Sequence, residues 1–274
     1  MQAKSPMTWE GAVAALKAQP GQRALVEACF YDDPLLAAAE RYHASSEWAA
    51  VRALVGRGGG AALDVGAGRG ISAYALARDG WRVTALEPDG SAMVGAAAIR
   101  TLAEQAQLNI EVVQTWGEQL PFEDAAFDLV HCRQVLHHAR DLKQLCRELA
   151  RVLRPQGLLI ATREHVIAQP GDLQAFLDSH PLHRLYGGEH AYLLDEYTGA
   201  IERAGLRLQE VLNPYASDIN TYPETVQDIK RRWARKLRLP SSTLIPDAAL
   251  RWAGSRKSLP GQLYSFVANK PGVA

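Results

Sequence analysis

Ala61-Ala62-Leu63-Asp64-Val65-Gly66-Ala67-Gly68-Arg69-Gly70 decides how this chain reads. A short apolar run enters the stretch, and a helical pattern starting at Ile71 leaves it. Strand, glycine-rich turn and helix in that order let a nucleotide-like ligand lie against bare backbone at a helix N-terminus. Gly66, Gly68 and Gly70 fall as G-x-G-x-G. The dinucleotide fingerprint needs G-x-G-x-x-G and meets Ile71 where its third glycine belongs. That one-residue difference points away from a nicotinamide dinucleotide and towards another adenosine ligand.

Working outward, Trp81–Leu86 reads as a buried strand with aromatic and β-branched content, and Glu87 and Pro88 stand at its tip. A carboxylate there accepts hydrogen bonds from both hydroxyls of an unphosphorylated ribose. Strands are expected at 61–65, 81–86, 110–114, 127–132 and 157–162, and helices at 71–79, 91–106 and 141–153. Such alternation means right-handed crossovers and a mainly parallel sheet. After Glu164 the pattern loosens into a helix at 172–178, a loop rich in His, Tyr and Gly, a helix at 194–204 and a strand at 206–212. Residues 213–262 read as an insertion, and 264–268 alternates as a last strand. Before the glycine turn, residues 8–56 read as helices, with Pro20-Gly21, Asp33-Pro34 and Ser45 or Ser46 as their boundaries.

Asp64–Gly70 and Glu87 resemble the first two motifs of class I S-adenosylmethionine-dependent methyltransferases. Gly117-Glu118-Gln119-Leu120-Pro121-Phe122, Ala126-Phe127-Asp128-Leu129-Val130, Val135-Leu136-His137-His138 and Leu153-Arg154-Pro155-Gln156-Gly157-Leu158-Leu159 narrow the resemblance. They look like the ubiquinone/menaquinone-biosynthesis group (methyltransferase domain type 11), which acts on small molecules. The likeness runs from about residue 60 to 165 and is thin elsewhere. It implies an α/β fold: a Rossmann-like, doubly wound, seven-stranded sheet whose last strand lies antiparallel beside the sixth. It divides the chain into a helical cap (1–58), a cofactor-binding core (59–165) and an acceptor-side segment (166–274) carrying the basic helical insertion.

The implied cofactor is S-adenosyl-L-methionine, and the implied reaction an in-line displacement in which the protein mainly positions two reactants. Gly66, Ala67 and Gly68 would let the amino-acid part of the cofactor approach the backbone, and a side chain at Gly66 or Gly68 would collide with it. Asp64 would fix the loop and Glu87 the ribose. Where similar proteins place an Asp for the adenine amine, this chain has Trp116, followed by Gly117 and Glu118. An indole accepts no hydrogen bond, so Trp116 either borders adenine or packs into the neighbouring helix. Arg133 is placed to reach the cofactor carboxylate. His137 falls where some phenolic O-methyltransferases keep a base, and His137 and His138 are therefore the catalytic candidates, with a purely structural pair as the alternative. Tyr31, Tyr42, His183, Tyr186 and His190 are acceptor-pocket candidates, as is Trp48. The acceptor they suit is a small molecule, sugar- or phenol-like, and anionic if the basic run at 228–257 forms a lid. The same run also reads as a solvated helix face whose Ile229, Trp233 and Leu237 pack inward.

At 274 residues, 47% apolar and 22% charged, the chain has an ordinary soluble composition, and its zero net charge gives no overall pull towards nucleic acid or an acidic membrane. Three scattered cysteines fit a reducing, cytoplasmic setting, and no leader or membrane-spanning run is read in the sequence. His180, His183, His190 and Glu189, with Glu164 and His165, do not fall at a known ligand spacing, so no metal is expected. Three rival functions remain: a nucleic-acid methyltransferase using the basic insertion, a dinucleotide oxidoreductase, and a non-catalytic binder of the cofactor. Against the first, Cys132-Arg133-Gln134-Val135 follows the fourth strand where a base-amine methyltransferase would carry Asn/Asp-Pro-Pro-aromatic.

Overall fold

The structure is a computed structural model and describes residues 7–256 and 259–272; Lys257 of the basic run and the first six residues lie outside them. Four helices come first: α1 (Trp9–Lys17), α2 (Arg23–Ala28), α3 (Leu35–His43) and α4 (Ser46–Val55). Ser45 caps α4 by accepting from the Trp48 amide at 3.1 Å. The alternating core then runs β1 (Ala61–Val65), α5 (Ile71–Arg78), β2 (Arg82–Leu86), α6 (Ala96–Ala106), β3 (Ile110–Val113), β4 (Phe127–Arg133), α7 (Leu142–Val152) and β5 (Leu153–Ile167). The remainder is α8 (Asp172–Ser179), α9 (His183–Tyr186), β6 (Tyr192–Leu193), α10 (Leu194–Arg203), β7 (Arg207–Leu212), α11 (Asp218–Thr221), α12 (Val226–Lys236), α13 (Asp247–Arg256) and β8 (Gln262–Asn269).

The strands form one sheet in the order β3-β2-β1-β4-β5-β8-β7, with two-residue β6 added beside the end of β5. From β3 to β5 the pairing is parallel, and β8 is antiparallel to both β5 and β7. The last strand therefore sits beside the sixth long strand, as the resemblance implies, and also separates it from β5. Central strands are buried on both faces. Leu63 and Val65 of β1 pack towards α7 and α10, and Ala62 packs towards α3, α5 and α6, so apolar layers cover the sheet on both sides.

Three elements depart from the sequence pattern. α6 starts at Ala96 and not at 91, because Asp89 and Ser91 build their own turn: Asp89 Oδ1 accepts from the Ser91 amide at 2.7 Å and Ser91 Oγ from Val94 at 3.3 Å. β5 runs on to Ile167, past a bulge between Ala161 and Glu164 at which Arg163 has a left-handed φ of 59°. On α12 Ile229 is buried, but Leu237 is 63% exposed, so the inward stripe expected there ends early.

Candidate active site

The carboxyl ends of β1, β2, β4 and β5 open onto a cavity of about 670 Å³. Its donor-side wall is the β1–α5 turn, where Gly66 and Gly68 have φ of 60° and 55°. The two glycines do different jobs. A Cβ on Gly66 would stand 2.7 Å from Val135 Cγ2, so the collision it avoids is with the protein itself. A Cβ on Gly68 would meet no protein atom within 4 Å, and Gly68 lines the cavity. Glu87 closes the turn from the tip of β2: Oε2 accepts from the Gly68 amide at 2.7 Å and Oε1 from Asp89 at 2.9 Å. Burial raises its pKa to about 7, against the pull of those two amides.

Asp64 is buried in β1. The parallel register sets it beside His131 of β4, and its Oδ1 lies 2.8 Å from His131 Nδ1. Among the described residues neither its Oδ2 nor His131 Nε2 has a hydrogen-bond partner. His131 escaped the sequence reading, although its place in the fourth strand, in register with Asp64, was the signal available. Trp116 borders the cavity with its indole 54% exposed and the Arg140 guanidinium 4.5 Å above the ring. Gly117 and Glu118 continue that wall. Of the two readings open for Trp116, the structure places it at the cavity and not within the packing of α7.

Arg133 is engaged within the protein. Its side chain reaches the cavity wall, but Nε and Nη2 are held by Glu47 at 2.6 and 3.1 Å, and its guanidinium lies over Phe30 and Tyr42. The buried Glu47 carboxylate, also 3.6 Å from Arg163, neutralises it and takes its Nε–Nη2 edge, while Nη1 donates to Gln134 Oε1 at 3.3 Å. Burial alone would raise Glu47; Arg133 and Arg163 hold it below the usual carboxylate range.

The opposite end of the cavity is aromatic and polar. Trp9, Tyr31 and Tyr186 form a wall, with Trp9 and Tyr186 ring centres 4.9 Å apart. The short turn after β4 presents His137 and His138, and the loop before β6 brings Glu189 to them. Glu164, re-aimed by the β5 bulge, accepts from the Val135 amide at 3.0 Å, the His137 amide at 3.1 Å and His137 Nδ1 at 2.7 Å. His137 Nε2 faces Glu189 Oε2 at 3.5 Å. Burial would lower the His137 pKa, but the two carboxylates outweigh it and push it to about 9. His137 in this state is a charged ring with both nitrogens engaged, so it is not a free base. His138 is depressed to about 4 by burial and by its charged neighbour. Its Nδ1 faces the Gly188 carbonyl at 3.2 Å, and a carbonyl only accepts, so Nδ1 carries the hydrogen and Nε2 a lone pair.

Other expectations miss the cavity. Tyr42 and Trp48 are fully buried core anchors, with Trp48 Nε1 donating to Asp79 at 2.8 Å. His183 and His190 are not on the cavity wall, whereas His165 and His180 are. Nor does any described residue of the basic insertion line it. Lys230, Arg231 and Arg232 pair instead with Asp247, Asp228 and Glu224. These three cations are answered locally, which favours the helix-face reading of that part of the run.

Comparison with known proteins fits this geometry. Residues 63–161 match the family profile described as a methyltransferase domain. Over those residues the chain is similar to that family. Among relatives, an uncharacterized methyltransferase of Bacillus subtilis, YcgJ, is 31% identical over 136 residues, covering 47% of this chain and 49% of its own. The 27-O-demethylrifamycin SV methyltransferase of Amycolatopsis mediterranei is 31% identical over 170 residues, covering 61% of this chain and 59% of its own. The chain thus spans about half the length of these curated relatives. Among solved structures, the [4+2]-cyclase SpnF superposes with a TM-score of 0.58 at 22% identity, covering 86% of this chain and 82% of that one. That likeness shows the fold. The family match ends at the bulge in β5, so the aromatic wall and Glu189 come from outside the matched residues.

Proposed function

We propose that this chain transfers a methyl group from S-adenosyl-L-methionine to a hydroxyl of a small molecule. The observation carrying the reading is one cavity with two unlike ends: bare backbone at Gly68 beside a ribose-reading carboxylate, and an aromatic wall with a histidine–glutamate group opposite. The residues fit an adenosyl ligand. Gly68 leaves its space open, the second lone pairs of the Glu87 oxygens remain for ribose hydroxyls, and Trp116 offers a flat face to a base. Bound there, the cofactor supplies an electrophilic methyl, and the chain positions it and excludes water. Methylating a hydroxyl releases a proton, which suits an acceptor whose reacting oxygen lies at the polar end. Flat faces on Trp9, Tyr31 and Tyr186 suit a ring. A nucleic-acid substrate loses its support with the insertion turned away from the cavity. No helix among the described residues is long and apolar enough to cross a membrane.

Calorimetry with S-adenosylhomocysteine tests the donor half. A ribose hydroxyl donates to the ionised form of Glu87, so binding releases the proton held with a pKa of about 7. Affinity should rise with pH from roughly 6 to 8 and then level off, and Glu87→Gln should flatten the profile. The sign is opposite for the empty protein. Its unfolded carboxyl ionises near 4.3, so Glu87 withdraws stability as pH climbs from there towards 7. No heat with S-adenosylhomocysteine alongside clear binding of a nicotinamide dinucleotide would end the proposal. For the acceptor half, methyl-labelled cofactor offered to phenols, sugars, amines and transfer RNA should mark hydroxyl compounds; label on RNA or amines alone would refute it.

A further inference from the structure

We infer that His137, His138 and Glu189 form a binding site for one divalent transition-metal ion at the acceptor end of the cavity. One ligand atom from each residue lies within 4.8 Å of the other two. Glu189 Oε2 is 3.5 Å from His137 Nε2 and 3.8 Å from His138 Nε2. An ion with bonds of about 2.1 Å sets neighbouring ligands roughly 3.0–3.4 Å apart, so a contraction of a few tenths of an ångström seats Glu189 against each histidine, and the two histidines close from a separation of no more than 4.8 Å. The cation takes the place of the proton that otherwise bridges His137 Nε2 to Glu189.

What stands behind the ligands points the same way. An imidazole that binds metal through one nitrogen donates the other N–H to a carboxylate or a carbonyl, which fixes tautomer and ring angle. Both histidines are held like this: His137 Nδ1 by the buried Glu164 at 2.7 Å and His138 Nδ1 by the Gly188 carbonyl at 3.2 Å. The other Glu189 oxygen lies 3.8 Å from His180 Nδ1, beyond hydrogen-bond reach. Two imidazoles and one carboxylate suit zinc, manganese, iron(II) or cobalt better than calcium or magnesium. Sequence spacing hides the set, because the histidines come from the turn after β4 and the glutamate from the loop before β6.

Three protein ligands leave coordination positions open, and all three residues line the cavity, so those positions face the acceptor. Resting on the methyl-transfer reading, this names how the hydroxyl is prepared. Bound to the ion, its O–H proton leaves to water more readily. The oxygen lone pair then forms the O–C bond as the S–C bond breaks and its electron pair returns to sulfur.

Titrating the chelator-stripped full chain with Co²⁺, followed by its visible absorption and by metal content after desalting, tests the site. One ion per chain is expected, with affinity falling at least ~10-fold in His138→Ala and in Glu189→Gln. His190→Ala, off the cavity wall, should leave it unchanged. Melting temperature and S-adenosylhomocysteine affinity retained in each variant show that the fold is intact. Wild-type protein that retains no cobalt overturns the inference, as does retention that neither variant weakens. If cobalt binds while S-adenosylhomocysteine does not, the methyl-transfer reading falls and the ion site survives.

Discussion

Gly68→Asn should fold and yet lose S-adenosylhomocysteine affinity by on the order of 100-fold, equivalent to about 2.7 kcal/mol. Asparagine tolerates the left-handed backbone that Gly68 adopts at φ 55°, so little of the effect comes from strain. The new side chain enters space that no protein atom occupies. Gly66→Ala should do the reverse. Its methyl would press on Val135 Cγ2 at 2.7 Å, so stability falls first, by about 1–3 kcal/mol. Calorimetry and denaturant unfolding of the two variants separate the effects. Equal losses of affinity in both, or a Gly68→Asn protein that binds normally, would remove the turn from the binding site.

Glu47→Gln should destabilise the protein by about 3–5 kcal/mol, the usual result of stranding a buried charge. Glu47 is fully buried and answers two guanidinium groups, those of Arg133 and Arg163. Arg163 also donates to the carbonyls of Ile219 and Tyr222, so the ion group ties α4 and α11 to the ends of β4 and β5. The neutral amide would leave Arg133 without its counter-ion between two aromatic rings. Urea unfolding measures the loss, and pairing Glu47→Leu with Arg133→Met should recover a good part of it. A change below about 1 kcal/mol in the single variant would mean that water, not Glu47, compensates these cations.

These two cases also mark where the sequence was readable. Periodicity and glycine spacing act over a few residues, so the β1 turn, the crossovers and the Glu87 tip could be placed from the chain alone. Glu47 could not, because its partners come from strands far along the sequence and nothing in Ser46-Glu47-Trp48 announces burial. Arg133 shows the same limit: its position at a strand end was readable, but the answer to its charge comes from a helix far earlier in the chain. Tyr42 and Trp48 read by composition as candidates for the wall and more readily as core anchors, and packing against α5 and β4 decided for the core. His138 and Glu189 meet only through a loop whose course no local rule fixes.

Glu87 and Glu164 stand on strands three places apart in the run β2-β1-β4-β5, and neighbouring strands are about 4.8 Å apart. The gap between the two ends of the cavity is thus set at roughly 14 Å by main-chain ladders. It works as a ruler whose divisions no surface substitution can alter. Loops above it can be exchanged to admit new acceptors while the span between donor and recipient stays constant.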